Sequence, residues 1–234
     1  REDFSGTSVL ACEWARRNKQ NETWGIDFDP EVLEWGKEQR LCKLTEEEKS
    51  RVHLICDDVR NYKNEPGVDI CCALNFSYSF FKERKELLHY FKWVYENLNE
   101  DGIFIIDSYG GPGAMDVTKD KRTVEADVDW AGNKYPKFKY AWDQSYFNFV
   151  NNHTICHIHF KVKGEEKMEK AFTYDWRLWG TPELRDIMLD VGFKRVDVYL
   201  EGWDEESEDT DGIMRKRSTY KHMLSWVSYM VAIK

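Results

Sequence analysis

The run from Arg1 to Asp29 constrains the fold more than any other stretch of the chain. Glu2-Asp3-Phe4-Ser5-Gly6-Thr7-Ser8 reads as a strand end and a small-residue turn, and Val9–Arg17 reads as a helix. Gly6 and its small neighbours let the backbone approach a ligand, and the N–H groups of a helix start can face it. About twenty residues further on, Thr23-Trp24-Gly25-Ile26-Asp27 reads as a second strand ending in a carboxylate. Such a carboxylate can accept hydrogen bonds from both hydroxyls of a ribose. Strand, turn, helix, strand and acid in this order form the nucleoside-binding half of an open parallel sheet. The G-x-G-x-x-G pattern that wraps a pyrophosphate is missing, which disfavours a nicotinamide-dependent oxidoreductase. The single remaining glycine, Gly6, suits a ligand without phosphate.

A chain of 234 residues, 41% hydrophobic and 15% aromatic, can bury one sizeable core. One α/β domain with an insertion fits that length better than two independent domains. No apolar run approaches membrane-spanning length and no signal peptide is visible. The sequence opens without Met and with one residue ahead of Glu2, so apolar residues upstream are expected to complete the first strand. The net charge of −9 is unevenly placed. Glu201, Asp204, Glu205, Glu206, Glu208, Asp209 and Asp211 form an acidic loop, with Arg215-Lys216-Arg217 expected to balance it. Without a basic footprint, nucleic acid is not an expected partner, and neither is a membrane. Cys12, Cys42, Cys56, Cys71, Cys72 and Cys156 contain no C-x-x-C pair and fit buried free thiols in a reducing, cytoplasmic setting.

Asp29-Pro30-Glu31 starts a helix reaching roughly Leu44, and Thr45–Lys49 is a polar connector or one further turn. Arg51–Cys56 is the third strand, and the apolar run Val68–Leu74 is the fourth. Leu87, Leu88, Phe91, Val94, Tyr95 and Leu98 lie at one-face spacing on a helix over Glu83–Asn97. Ile103–Asp107 is the fifth strand, and the glycine-rich run through Gly113 reads as a hinge or lid. Lys137–Phe147, Thr154–Lys163 and Lys167–Trp179 alternate with period two and predict an antiparallel insertion over the binding edge. His157 and His159 share one strand face but have no matching cluster, so no metal is expected. The aromatic density from Trp130 to Trp179 fills a small core in part; the remainder suits a pocket wall for a cationic or aromatic acceptor. Arg177 is placed to hold a substrate carboxylate or to pair within the fold. A helix from Thr181 stopped by Gly192, a strand over Phe193–Leu200 and a strand over Tyr220–Lys234 complete the chain.

The opening run resembles motif I of the class I S-adenosylmethionine-dependent methyltransferases, usually (D/E)-x-G-x-G-x-G. Glu2 takes the acidic position, Gly6 the middle glycine, and Phe4 and Ser8 stand in place of the flanking glycines. The run also resembles an uncharacterised bacterial-type branch with E-D-F-(C/S)-G-T at this place. This resemblance implies a Rossmann-like, mostly parallel α/β sheet of seven strands, with the β insertion after the fifth. Residues 1–111 would form the cofactor-binding core, 112–180 a substrate cap and 181–234 the rest of the sheet. It implies S-adenosylmethionine as cofactor, S-adenosylhomocysteine as product, and methyl transfer to N or O of a small molecule. Glu2, Phe4, Ser5, Gly6 and Thr7 would form the cofactor turn, and Asp27 with Phe28 the ribose edge. Asp58 with Val59, or Asp57, would hold the adenine. Asn75-Phe76-Ser77-Tyr78 lies where acceptor meets cofactor and is loosely similar to the (N/D)-P-P-(Y/F) motif of amino-methylating enzymes. Asn75 and Tyr78 are therefore catalytic candidates with Arg177, and Asn75 also borders the cofactor. Tyr78, Asp107 and Tyr109 are the available bases. An aminopropyl transferase on the same fold, or a non-catalytic scaffold, are the alternatives.

Overall fold

The computed structural model describes residues 1–204, 209–221 and 223–234. Its first half alternates strand and helix: β1 (Glu2–Asp3), α1 (Val9–Arg17), β2 (Thr23–Asp27), α2 (Pro30–Gln39), α3 (Glu46–Lys49), β3 (Val52–Cys56), β4 (Val68–Ala73), α4 (Arg84–Asn97) and β5 (Leu98–Gly110). Local chemistry sets several of these boundaries. The Asp29 carboxylate accepts from the N–H groups of Glu31 and Val32 with Pro30 at the first turn of α2. Thr45 and Glu48 close a capping box on α3.

An antiparallel layer follows, built from β6 (Thr118–Val124), β7 (Asp127–Val128), β8 (Lys134–Tyr135), β9 (Phe138–Asn148), β10 (His153–Val162) and β11 (Met168–Arg177). The chain ends with α5 (Thr181–Val191), β12 (Arg195–Asp204), β13 (Asp209–Lys216) and β14 (Trp226–Ile233). Among the described residues the main sheet has the order β3-β2-β1-β4-β5-β14-β12-β13. The first five of these strands pair in parallel. β14 runs antiparallel between β5 and β12. A second sheet has the order β6-β9-β10-β11, and β7 pairs with β8.

Side-chain alternation on β1 shows how the main sheet is covered. The Glu2 carboxylate turns to α1, and that of Asp3 turns to Tyr90 on α4. The larger core lies on the α4 and α5 face, where Tyr90, Phe91, Phe104, Ile187 and Met188 are fully buried. On the other side Cys12, Ala15, Leu44 and Val52 form a smaller cluster under α1.

Several sequence expectations change here. Among the described residues the sheet carries eight strands rather than seven, because β13 adds to the edge of β12. The expected acidic loop is largely this hairpin, although Glu205, Glu206 and Glu208 lie outside the described residues. Arg215 pairs with Asp211 at 2.6 Å and Lys216 with Asp197 at 2.7 Å, so the basic cluster balances both hairpin strands. The glycine-rich hinge is tied down as well, since β5 runs on to Gly110 paired with Trp226. His157 and His159, read as polar-face residues, are buried and bonded to Thr173 and Asp143.

Candidate functional site

The turn after β1 carries three left-handed residues. Phe4, Gly6 and Ser8 have φ of +56°, +52° and +55°. That conformation costs an ordinary residue roughly 1–2 kcal/mol, and tertiary contacts hold it here. The Phe4 ring packs on Phe81 at 6.0 Å and Tyr90 at 5.7 Å. Ser8 Oγ meets Ser5 Oγ at 3.1 Å in a buried contact. α2 presses on the turn at Gly36, where a Cβ would stand 2.6 Å from the Thr7 carbonyl oxygen.

Glu2 does not face this turn as a free acid. Its carboxylate accepts the Ala11 N–H at 2.9 Å, an anion at the start of α1. Burial pushes Glu2 up to about 7, although the Ala11 N–H pulls the other way. Glu2 therefore positions the helix that follows the turn.

At the end of β2, the half-buried Asp27 carboxylate accepts the Gly6 N–H at 2.7 Å and the Asp29 N–H at 3.0 Å. It links the two segments that would flank a nucleoside. Beside it, the Phe28 ring is 70% exposed, an aromatic surface with room for a flat partner.

The loop after β3 is held from beneath. Arg1 donates to the Val59 carbonyl at 2.7 Å and the Tyr62 carbonyl at 2.8 Å, while its Nε meets Asp3 at 2.7 Å. Asp3 also accepts the Tyr90 hydroxyl at 2.8 Å, so one buried ion pair connects β1, α4 and this loop. Neither Arg1 nor Asp3 was singled out by sequence reasoning; the charged pair flanking Glu2 was the available signal. Asp58 is bidentate with Arg60, which holds its carboxyl below the usual range. Asp57 accepts the Asp58 N–H at 2.8 Å. Val59 is buried.

Beyond β4, Asn75 and Phe76 are both left-handed, with φ of +58° and +57°. Asp107, near the end of β5, accepts both of their N–H groups at 2.8 Å. Burial raises the Asp107 carboxyl and those bonds oppose the rise. Its geometry makes it a positioning group for the Asn75 loop rather than a base. Tyr78 departs from its expected catalytic role: it is buried in the core against Phe91, and burial drives its phenol upward. The ring of this loop that reaches the open side is Phe76, 4.7 Å from Tyr109 and 6.4 Å from Trp176. The buried Tyr109 hydroxyl has no hydrogen-bond partner among the described residues.

Arg177 also departs from the expected role. It donates to the Lys82 carbonyl at 3.0 Å and to Glu183 at 2.8 Å, with its guanidinium over Trp179 at 3.7 Å. Together with Trp179 Nε1 bonded to the Phe81 carbonyl at 3.0 Å, it fastens the end of β11 to the turn after Asn75. The insertion is thereby anchored at the site. Between it and the ends of β5, β14 and β12 lies a cavity of about 460 Å³, bordered by Phe76, Tyr109, Trp142, Gln144, Glu201 and Trp226. Trp226 fits because Gly110 has no side chain: a Cβ there would fall 2.3 Å from the indole ring. Among the described residues no cluster of metal-binding side chains occurs, and no helix is long and apolar enough to cross a membrane.

No protein-family model and no curated protein sequence matches the chain. Solved structures do match it. A S-adenosylmethionine-dependent methyltransferase from Clostridium acetobutylicum has a TM-score of 0.63 at 14% identity, covering 99% of this chain and 82% of that one. The CcbJ methyltransferase from Streptomyces caelestis has a TM-score of 0.66 at 15% identity, covering 98% and 86%. CalS10, an amino pentose methyltransferase from Micromonospora echinaspora with S-adenosylmethionine bound, has 0.66 at 12% identity, covering 99% and 81%. Many of the high-probability matches are S-adenosylmethionine-dependent methyltransferases. At these identities the likeness is one of fold: an α/β fold with a mostly parallel central sheet and an antiparallel part, shared with these methyltransferases.

Proposed function

We propose that this protein transfers a methyl group from S-adenosylmethionine to N or O of a small-molecule acceptor. The observation that carries the reading is the left-handed backbone at Phe4, Gly6 and Ser8, joined through the Gly6 N–H to the acid ending β2. An ordinary strand–turn–helix does not need three such residues in a row of five, two of them strained. Solved structures of this fold with S-adenosylmethionine or S-adenosylhomocysteine bound support the choice of cofactor.

The residues present fit that cofactor. Asp27 retains acceptor capacity for ribose hydroxyls, with Phe28 exposed beside it. Asp57 or Asp58, with the Val59 backbone, takes the adenine edge on a loop braced by Arg1. When bound, S-adenosylmethionine supplies a methyl group on a sulfonium sulfur, and transfer leaves a neutral thioether. Charge is dispersed in that reaction, so the chain's main task is alignment. Asn75 and Phe76, fixed by Asp107, orient the acceptor from one side, and Tyr109 lines the cavity beside them. The segment 112–180 acts as the cap that closes the cavity and limits water.

Calorimetric titration with S-adenosylmethionine, S-adenosylhomocysteine and NADH tests the reading. Binding of the first two alone is expected. Binding of NADH alone would overturn it, and binding of none would point to a non-catalytic scaffold.

A further inference from the structure

The antiparallel layer carries charged side chains on both faces, but its two concave surfaces are lined differently. On its outer side Lys121, Lys139 and Lys161 border a groove with His159. Lys139 stands directly opposite Lys161 in the β9–β10 register. The inner side, facing the cavity, has the opposite character. Asp120 from β6 and Glu201 from β12 line it with Tyr109, Trp142 and Trp226. Among the described residues that line it there is no lysine, arginine or histidine. Basic side chains on the neighbouring strands are engaged elsewhere: Lys119 with Asp143, Arg215 with Asp211 and Lys216 with Asp197. Arg122 shares the inner face of β6 with Asp120, opposite Tyr140 in the β6–β9 register, and its guanidinium lies over the Tyr140 ring at 4.7 Å, outside the residues that line the cavity.

Two carboxylates lining one aromatic cavity give it a negative potential, which favours a positive guest. The indole faces add attraction of the same sign. An uncharged aromatic acceptor would use the rings and gain nothing from the acids, while an anionic acceptor would be repelled. We infer that the cavity takes an amine-bearing small molecule as its cation, with Asp120 and Glu201 as counter-charges and Trp142 and Trp226 as walls. This rests on the reading of the cavity as the acceptor site.

The test compares two ligands of one shape on the protein saturated with S-adenosylhomocysteine. One is choline; the other is the neutral alcohol in which carbon replaces the quaternary nitrogen. Choline is expected to bind tighter by about tenfold or more. In the Asp120→Asn/Glu201→Gln double variant that ratio falls toward one with S-adenosylhomocysteine affinity unchanged. Glu201→Gln alone, read the same way, covers a double variant that fails to fold. Equal affinities, binding of neither ligand, or an undiminished ratio in the variants overturns the inference. A choline preference that persists when S-adenosylhomocysteine does not bind overturns the methyl-transfer reading and leaves the cationic site standing.

Discussion

Glu2→Gln separates a helix-positioning role for Glu2 from a cofactor-binding one. Burial lifts the Glu2 carboxyl from 4.5 to about 7, so the folded protein holds this proton more tightly than the unfolded chain does. Below the unfolded value Glu2 is protonated in both states and costs nothing. As pH rises toward about 7 the unfolded chain gives up the proton first, and stability falls. Above that value the whole difference is felt. An interval of about 2.5 pH units at about 1.4 kcal/mol each gives on the order of 3 kcal/mol. Glutamine does not ionise and still offers an oxygen to the Ala11 N–H. The variant should therefore match the parent near pH 4 and exceed it by on the order of 3 kcal/mol near pH 8. Urea unfolding followed by circular dichroism at both values measures the difference directly. Comparing the two proteins also cancels the other titrating groups. A difference that stays flat with pH refutes the reasoning. A flat difference with weaker S-adenosylhomocysteine binding would return Glu2 to the cofactor site.

Asp27→Ala removes the acceptor of the Gly6 and Asp29 N–H groups and, on the proposed reading, of the ribose. At about 1.5–3 kcal/mol per charged hydrogen bond, cofactor affinity should drop by tenfold or more in a calorimetric titration; an unchanged affinity sinks the ribose assignment. Asp107→Asn loosens the Asn75 loop, so turnover should fall more than S-adenosylhomocysteine affinity, and a loss confined to affinity would place the loop in the cofactor pocket. Asn75→Ala should lower turnover likewise and cost about 1 kcal/mol of stability through its positive φ, whereas Asn75→Gly keeps the backbone. Arg177→Lys should destabilise the fold by on the order of 1–3 kcal/mol in thermal unfolding, because the fork onto Lys82 and Glu183 is lost, without changing cofactor affinity.

What is legible in the sequence is what short-range chemistry decides. The helix over Val9–Arg17 is recovered residue for residue, and the Asp29-Pro30 start and Gly192 stop are where local rules put them. The loss of two motif glycines reads as damage because glycine is the usual bearer of positive φ. Phe4 and Ser8 keep the conformation through contacts with Phe81, Tyr90 and Ser5, and the first two of these lie far away in the chain. Asp3 is hidden for the same reason: the hydroxyl it accepts is 87 positions further on. β13 is masked by its composition, since acidic residues are poor strand formers, yet Asp211 is satisfied by Arg215 and the Gly202 and Ile213 N–H groups. Likeness to the (N/D)-P-P-(Y/F) pattern puts Tyr78 at the site, but the two left-handed residues Asn75 and Phe76 turn the chain so that Tyr78 is buried and Phe76 lines the cavity. Much of the proposed cofactor half of the site is thus readable because the short run from Glu2 to Phe28 supplies most of its residues. The proposed acceptor half is assembled from β5, β6, β9, β12 and β14, strands spread over more than a hundred residues, and its charge pattern exists only once they meet.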